Sequence, residues 1–549
     1  MNNPLKLALL AGVLVLDLAS PGSGDAQQPV RTPARRWNII SIMTDDYGAW
    51  AMGAYGNKDV VTPNMDRLAS EGARFTNAFA ASGVCSPSRV AFLTGLYPIQ
   101  IGTLTDAPQL HGFNTEGLPR GVLTWPKVLQ QNGYVTGLIG KWHLGRTREF
   151  YPTNYGFNYF FGFLRGGNRT MNPVFYKDGK PMVIPGVTAD ITMDAALRFI
   201  DDNKSKPFAL LVHYREPHGP YGPVADVDMA PFKDRDIAVP ELRVPAVDWM
   251  DASSKLNRDD PDATANLRSH VKERRRAYYA SVHSVDRNLG RLVARLAELG
   301  LDQNTIIVFT SDQGYLVGQR GLTTKGTAFP LRNGTYPDNR RLSVVNLYDV
   351  SLKIPFLVKW PGVVKPGTVI DDLVSNIDMF ASTLGMLGVS IPRSWPHQGR
   401  DFSPLLRGEK VQWRDAIFAQ YDPTEVGNLE LVRMIRTKRW KLVRSYLNPG
   451  GDQFFDLEND PEEMRNLFYP QNPAYSYGDV ENDTGQVVRV PDPHTSTKAE
   501  LQRRLTEWQR AIDDPALPAD SVYHAKRRAA RERWQKPARV APVTPSNPQ

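Results

Sequence analysis

The chain of 549 residues reads as an α/β protein: a large, mostly parallel central sheet flanked by helices, followed by a smaller antiparallel sheet. Three observations predict this. Short β-branched apolar runs end abruptly in polar, chemically loaded residues; an amphipathic helical pattern leads directly into one of these runs; and beyond about residue 406 the pattern changes to strict alternation.

The apolar runs are residues 37–43, leading into Thr44, Asp45 and Asp46; residues 208–214, leading into Arg215, Glu216, Pro217 and His218; and residues 305–310, leading into Ser311, Asp312, Gln313 and Gly314. Such continuous runs mark strands covered on both faces. The clearest helix spans residues 285–299, with Leu289, Leu292, Val293 and Leu296 on one face and Gly300 as its stop. A helix followed closely by a strand argues for parallel pairing. In open sheets of this kind ligands bind beyond the carboxyl ends of the strands, so the loaded residues can converge there.

These patterns divide the chain into a main domain over residues 36–406 and a small-sheet subdomain over residues 407–515. In the latter, residues 416–418 and 434–446 alternate as in a half-exposed antiparallel sheet, residues 454–461 read as a strand and turn, and residues 497–512 as a terminal helix. Residues 1–26 contain Lys6, an apolar stretch from residue 7 to 16, Asp17 and then small residues. This reads as a secretory signal peptide, its apolar run being about half of the roughly 20 residues a membrane helix needs. The chain is therefore expected to be exported, periplasmic or secreted, without a stable membrane anchor.

The formal charge of +8 is not spread over the body. Between Lys526 and Arg539 stand seven basic residues and one acid, Glu532, so six of those eight charges sit in a Pro-rich segment over residues 516–549, which reads as a flexible tail. Nucleic-acid binding is excluded as a reading, because the body has no zinc spacing, RNA-binding aromatic motif or basic stripe.

Asp45 and Asp46 at one strand end, and Asp312 with Gln313 at another, offer oxygen donors suited to Ca²⁺ or Mg²⁺ rather than zinc. Cys85 has no second cysteine to pair with. It is followed by Pro87, Ser88 and Arg89, a loop entering a helix whose free N–H groups and guanidinium suit an anion.

The run Cys85-Ser86-Pro87-Ser88-Arg89-Val90-Ala91-Phe92-Leu93-Thr94-Gly95 resembles the signature of the type I sulfatases, within the alkaline phosphatase-like superfamily, and meets each of its fixed positions. Gly140-Lys141-Trp142-His143-Leu144-Gly145, Glu216-Pro217-His218-Gly219-Pro220 and Thr323-Thr324-Lys325-Gly326-Thr327 resemble further segments of that family. The resemblance implies that a formylglycine-generating enzyme oxidises Cys85 to formylglycine, whose hydrated aldehyde attacks sulfur. It implies a metal site, usually Ca²⁺ and less often Mg²⁺, built from Asp45, Asp46, Asp312, Gln313 and modified Cys85. It further implies that Lys141 contacts the sulfate and the formylglycine, that His143 orients the attacking hydroxyl, and that His218 meets the sulfate near the leaving oxygen. By the same resemblance Lys325 is expected to be the last sulfate-binding lysine, and Arg89 to join the cations that face the sulfuryl oxygens. His213 is expected to point into the packing of the sheet.

The expected activity is hydrolysis of a sulfate ester, on a carbohydrate, to an alcohol and inorganic sulfate; the substrate is a sulfated small molecule or glycan. A phosphomonoester or phosphonate monoester hydrolase on the same scaffold, or a non-catalytic binder of sulfated glycans, stands as the alternative. The family pattern is interrupted after Lys325 by an insertion over residues 328–347 holding Arg332, Arg340 and Arg341. Because it begins beside the expected site, it is read as shaping substrate choice. Arg165, Arg169 and Arg215 are candidates for binding acidic sugars.

Overall fold

The computed structural model of the protein describes residues 36–101, 117–242, 261–330, 344–423, 430–447, 451–468, 478–481, 487–514 and 516. The Asn38–Thr44 strand pairs in parallel with Phe208–His213 on one side and with Thr305–Ser311 on the other. Val135–Lys141 and then Tyr159–Phe163 continue the parallel order beyond Phe208–His213. Antiparallel strands extend both edges, Phe356–Lys359 beside Thr305–Ser311 and Val174–Lys177 beside Tyr159–Phe163. Among the described residues the sheet has ten strands.

Period-two alternation explains why the central strands carry no polar face. Ile39, Met43, Leu211, Ile306 and Val308 pack with Val90, Phe92, Leu93 and Trp125 on one side. Ile40, Ile42, Leu210, Val212, Ile307 and Phe309 pack with Val285, Leu289, Leu292 and Leu296 on the other. Each strand is thus apolar at successive positions because helices cover both surfaces.

The helix expected over residues 285–299 is the C-terminal part of a much longer one, Pro261–Glu298, of 38 residues, or about 57 Å at 1.5 Å per residue. The charged run from Lys272 to Arg276 hides its first half in the sequence. The apolar stripe nevertheless continues through Leu267, Val271, Tyr278 and Val282, all buried. The basic residues between them tie down the neighbouring segment. Arg275 donates to the Ala238 carbonyl (2.6 Å), Arg276 to the Arg235 carbonyl (3.0 Å), and Lys272 pairs with Asp236.

The parallel strands end flush. Thr44 lies opposite Ser311, Met43 opposite His213, and His213 opposite Gly140. The residues after these positions therefore emerge along one edge, where Asp312 N–H donates to the Thr44 carbonyl and Asp45 N–H to the Glu216 carbonyl, both at 3.1 Å. Gly140 is required there: its φ is +98°, and a Cβ would stand 1.9 Å from the His213 carbonyl oxygen.

The second sheet orders Ala416–Tyr421, Val432–Thr437, Trp440–Ser445 and Gln453–Asp456 as neighbouring antiparallel strands. The alternating stretch over residues 434–446 is thus two strands, turned between Thr437 and Trp440. Ile435, Leu442 and Phe454 pack with Leu501, Leu505 and Trp508 of the Thr495–Ala511 helix, and share a cluster with Ala91, Tyr97 and Ile377 of the larger body. The insertion leaves along Thr327–Pro330 and returns along Val344–Val345, an antiparallel pair. Arg332, Arg340 and Arg341, the segment over residues 1–26 and the tail beyond residue 516 lie outside the described residues.

An ion cluster ties the small sheet to the Asp349–Leu352 helix of the larger body. Asp349 takes Arg436 Nη2 at 2.8 Å and Lys441 Nζ at 2.8 Å. Burial pushes this carboxyl up, yet Arg436 and Lys441 override it and hold the group well below the usual carboxylate range. A depressed folded pKa stabilises above the unfolded value and loses that stabilisation as pH falls. Asp349→Asn is therefore expected to cost on the order of 3 kcal/mol at neutral pH. In thermal melts its deficit against the unmodified chain should narrow as pH drops below about 4. A deficit independent of pH would contradict this account.

Candidate functional site

The strand ends deliver their carboxylates into one dry spot. Ligand atoms of Asp45, Asp46, Cys85 and Asp312 all lie within 4.8 Å of one another, and all four residues are buried. Cys85 is the first residue of the Cys85–Thr94 helix, so its thiol sits at the positive end of the helix dipole. The rest of the signature anchors that helix to the strand ends. Ser86 Oγ donates to the His143 carbonyl (2.9 Å), Ser88 Oγ donates to the Asp312 carbonyl, and Asn376 Nδ2 donates to Ser88 Oγ (2.7 Å).

Three cations surround the cluster. Arg89 grips Asp312 Oδ2 with Nη2 at 2.7 Å and Nε at 3.0 Å. Lys141 Nζ donates to Asp45 Oδ2, and Lys325 Nζ donates to Asp46 Oδ1 and to Cys85 Sγ, the latter at 2.8 Å. His218 Nε2 stands 3.7 Å from Asp46 Oδ2.

Burial opposes the cations in this cluster, and the three carboxylates respond differently. Burial and then the Asp45 anion push Asp312 up to about 6, and burial also raises Asp46 against the pull of Lys325. Asp45 moves the other way: burial would raise it, but Lys141, His218, Arg89 and Lys325 together hold it well below the usual range. Burial, then Asp45, pushes the Cys85 thiol up to about 12, so as a thiol it is neutral and a poor nucleophile. Burial lowers His218 to about 3. The Gln313 side-chain oxygen is buried and has no hydrogen-bond partner among the described residues. As oriented, the Gln313 amide turns its Nε2, not this oxygen, to Asp46 Oδ1 and to Cys85 Sγ. Three buried carboxylates fit a hard divalent cation, so Asp45, Asp46 and Asp312 could hold a metal ion.

A cavity of about 680 Å³ opens onto Asp46, His218 and Lys325. The other expected residues stand behind this wall. Arg89 faces Asp312 rather than open space, which makes its placement that of a group positioning Asp312 and the helix. His143 is buried, with Gly166 so close that a Cβ there would lie 2.5 Å from its Nε2. His213 packs edge-on against Phe92 and takes its Nδ1 to within 3.2 Å of the Lys141 carbonyl, a packing position as expected. Arg165 and Arg169 are exposed. Arg215, in contrast to its expected sugar-binding role, is 0% exposed. Its Nε donates to the Asn168 carbonyl (2.8 Å) and its Nη2 to the Pro220 carbonyl (2.7 Å), so it braces the His218 loop.

Sequence reasoning missed Tyr278. Its hydroxyl donates to the Asp46 carbonyl at 2.7 Å, holding a residue whose φ is +66°. The signal was present in the apolar stripe of the long helix, had that stripe been followed upstream of residue 285. The aromatic and cationic wall of the cavity, from Tyr221, His270, Arg274 and Tyr315, was missed because its members come from distant segments.

Parallel strand ends that gather carboxylates and cations around a helix N-terminus define an alkaline phosphatase-like hydrolase. The family model described as Sulfatase matches residues 37–389, and the chain belongs to the sulfatase family; it is a sulfuric ester hydrolase. A second model, described as N-sulphoglucosamine sulphohydrolase, C-terminal, matches residues 340–483. The chain is 29% identical over 521 residues to an N-acetylglucosamine-6-O-sulfatase of Bacteroides thetaiotaomicron, covering 83% of this chain and 87% of that protein. It is 32% identical over 562 residues to human steryl-sulfatase, covering 88% and 92%. A solved structure of a protein in complex with D-glucosamine-2-N,6-O-disulfate matches with a TM-score of 0.68 and 27% identity, over 88% of this chain and 100% of that one.

Tyr278→Phe removes one hydrogen bond to the backbone of the cluster while keeping the ring. Because groups behind metal ligands typically tune affinity 10- to 100-fold, a divalent-cation titration of chelated protein should show binding weakened by about tenfold. Unchanged affinity would assign Tyr278 to packing alone.

Proposed function

We propose that the protein hydrolyses a sulfate ester of a carbohydrate, releasing an alcohol and inorganic sulfate, with formylglycine at position 85 and Ca²⁺ held by Asp45, Asp46, Asp312, Gln313 and the modified residue. The observation that carries this reading is the position of Cys85. A lone buried cysteine at a helix N-terminus stands 2.8 Å from Lys325 Nζ and within ligand distance of three carboxylates, yet is protonated as a thiol. Its value then lies in its oxidised form. Relatives named for carbohydrate sulfates, including the N-acetylglucosamine-6-O-sulfatase and an ulvan-active sulfatase of Formosa agariphila, support a sugar substrate.

Formylglycine supplies a hydrated aldehyde as oxygen nucleophile, and the divalent cation supplies charge neutralisation at the sulfuryl oxygens. The side chains provide the rest. Lys325, on the cavity wall, presents its ammonium to the sulfuryl oxygens as negative charge shifts toward the leaving oxygen. Lys141 keeps Asp45 ionised, and Arg89 holds Asp312 in place. His218 lies on the same wall, its Nδ1 fixed at 2.7 Å from the Gly219 carbonyl. An arriving sulfate monoester adds a negative charge that raises the proton affinity of this ring, so Nε2 can protonate the leaving oxygen. His143, behind Lys141, orients the attacking hydroxyl.

Residues 1–26 act as a signal for export to the periplasm or beyond. Among the described residues no helix is long and apolar enough to cross a bilayer. Maturation requires a formylglycine-generating enzyme. Residues 36–406 form the catalytic domain and residues 407–515 a subdomain. The insertion over residues 328–347 contributes to substrate choice by its place beside Lys325.

Cys85→Ala is expected to abolish turnover of sulfate esters. Peptide mass spectrometry of active protein should find an aldehyde at position 85, and an unmodified thiol in fully active protein would sink the proposal. His218→Ala should lower kcat on sugar sulfates by about 10²- to 10⁴-fold, with a much smaller loss on 4-nitrophenyl sulfate, whose leaving group needs no proton. Equal losses on both would remove His218 as the acid. Faster turnover of 4-nitrophenyl phosphate than of the sulfate would favour the phosphoester alternative.

A further inference from the structure

We propose that Asn346, where the 328–347 insertion returns to the body, is the positioning residue of Lys325: its side-chain amide holds the backbone at Lys325 and so sets where the ammonium stands against position 85 and Asp46. This role rests on the sulfatase reading and goes beyond it, giving the insertion a part in catalysis as well as in substrate choice.

Lys325 stands on backbone that needs outside support. Thr324, just before it, has a φ of +82°, a conformation that a β-branched residue keeps only where its neighbours over-determine it. Its Oγ1 donates to the Thr327 carbonyl at 2.5 Å. Gly326, just after the lysine, donates its N–H to the Gly83 carbonyl at 3.0 Å, and a Cβ on Gly83 would stand 3.1 Å from the Gly326 Cα. The segment that leads into Cys85 and the loop that carries Lys325 thus touch backbone to backbone. The carbonyls of Lys325 and Gly326 still require donors.

Asn346 supplies them. Its Nδ2 donates to the Lys325 carbonyl at 2.9 Å and to the Gly326 carbonyl at 3.2 Å, and its N–H donates to the Gly326 carbonyl at 2.8 Å. On the other side its Oδ1 accepts from Ser351 Oγ at 2.8 Å and from the Tyr348 N–H at 3.2 Å. These partners fix which way the amide faces, since only the oxygen can accept and only the nitrogen can donate. The side chain is buried, 1% exposed.

The same short stretch is tied to the other parts of the site. Gly314 N–H donates to the Ser351 carbonyl at 3.0 Å, Ala80 N–H to the Leu352 carbonyl at 2.8 Å, and Ala49 N–H to the Lys353 carbonyl at 3.2 Å. The segments bearing Asp312, Cys85 and Asp46 are therefore held against the Asp349–Leu352 helix, and the Asn346 amide holds Lys325 to that frame. Lys325 Nζ meets Asp46 Oδ1 and, at 2.8 Å, Cys85 Sγ. Its side chain is only 16% exposed, so the stem has little room to compensate for a shift of its own backbone. A misplacement of about 1 Å can cost about 100-fold in rate.

The test is a double-mutant cycle of Asn346→Ala and Lys325→Ala, read as kcat/KM on 4-nitrophenyl sulfate. Asn346→Ala should lower it by about 10- to 100-fold, and the double variant should match Lys325→Ala within about twofold, because one residue acts through the other. Losses that multiply would make Asn346 a residue of the fold alone and overturn the proposal. Asn346→Asp keeps the oxygen for Ser351 and Tyr348 but loses the donor, so full activity in that variant would also overturn it. Should Asn346→Ala not fold, Ser351→Ala, which releases only the amide oxygen, should give a smaller loss that again vanishes without Lys325. The cycle is repeated by calorimetry on Cys85→Ala protein with Ca²⁺ present and inorganic sulfate as probe, where Asn346→Ala should weaken binding about tenfold only when Lys325 is in place. Sulfate affinity indifferent to either residue overturns the proposal. Absence of turnover on every sulfate ester would instead strike the sulfatase reading, and the calorimetric cycle would still decide the role of Asn346.

Discussion

Three buried carboxylates crowded at the ends of two neighbouring parallel strands are the constraint around which the rest of the molecule is arranged. Their mutual repulsion in a low-dielectric site is unfavourable unless cations are brought to meet it. Arg89, Lys141 and Lys325 come from three different segments, and each is directed at a different carboxylate. Burial still raises Asp46 and Asp312 against the pull of these cations. A divalent cation is the natural complement.

The same constraint explains why so much of the signature run does no visible chemistry. Ser86, Ser88 and Arg89 each spend their polar atoms on a neighbouring strand end. They fix the height and rotation of the Cys85 helix, so that Cys85 meets Lys325 and the carboxylate cluster. Tyr278 and Arg215 extend this support outward, one to the Asp46 backbone and the other to the His218 loop. Placement within fractions of an ångström, rather than the mere presence of reactive groups, separates a catalytic constellation from a buried salt cluster.

The small sheet contributes to this frame without reaching the cavity. Its Arg436 and Lys441 grip Asp349, which follows directly on the segment returning from the insertion. Its Ile435, Leu442 and Phe454 share a core with Ala91 of the Cys85 helix. The basic, alternating stretch that looked half-exposed in the sequence is two largely covered strands whose charged members are paired, Arg436 and Lys441 with Asp349 of the larger body and Arg433 with Asp422 and Asp514.

The central strands, the helix that bears Cys85 and the identities of the metal-type residues were legible along the chain, because each depends on local pattern: continuous apolar runs, a sharp polar break, a short motif. The upstream half of the long helix was not, since its charged residues look solvent-facing until the 230–242 segment supplies their carbonyl partners. Arg215 read as a sugar ligand for the same reason, and only folding revealed it as a buried brace. By itself the sequence determined which groups could do sulfate ester chemistry and at which strand ends they stand. The tertiary structure decided which of them face the cavity and which stand behind it. Long polar side chains take their direction from neighbours hundreds of residues away, and no local pattern records those neighbours.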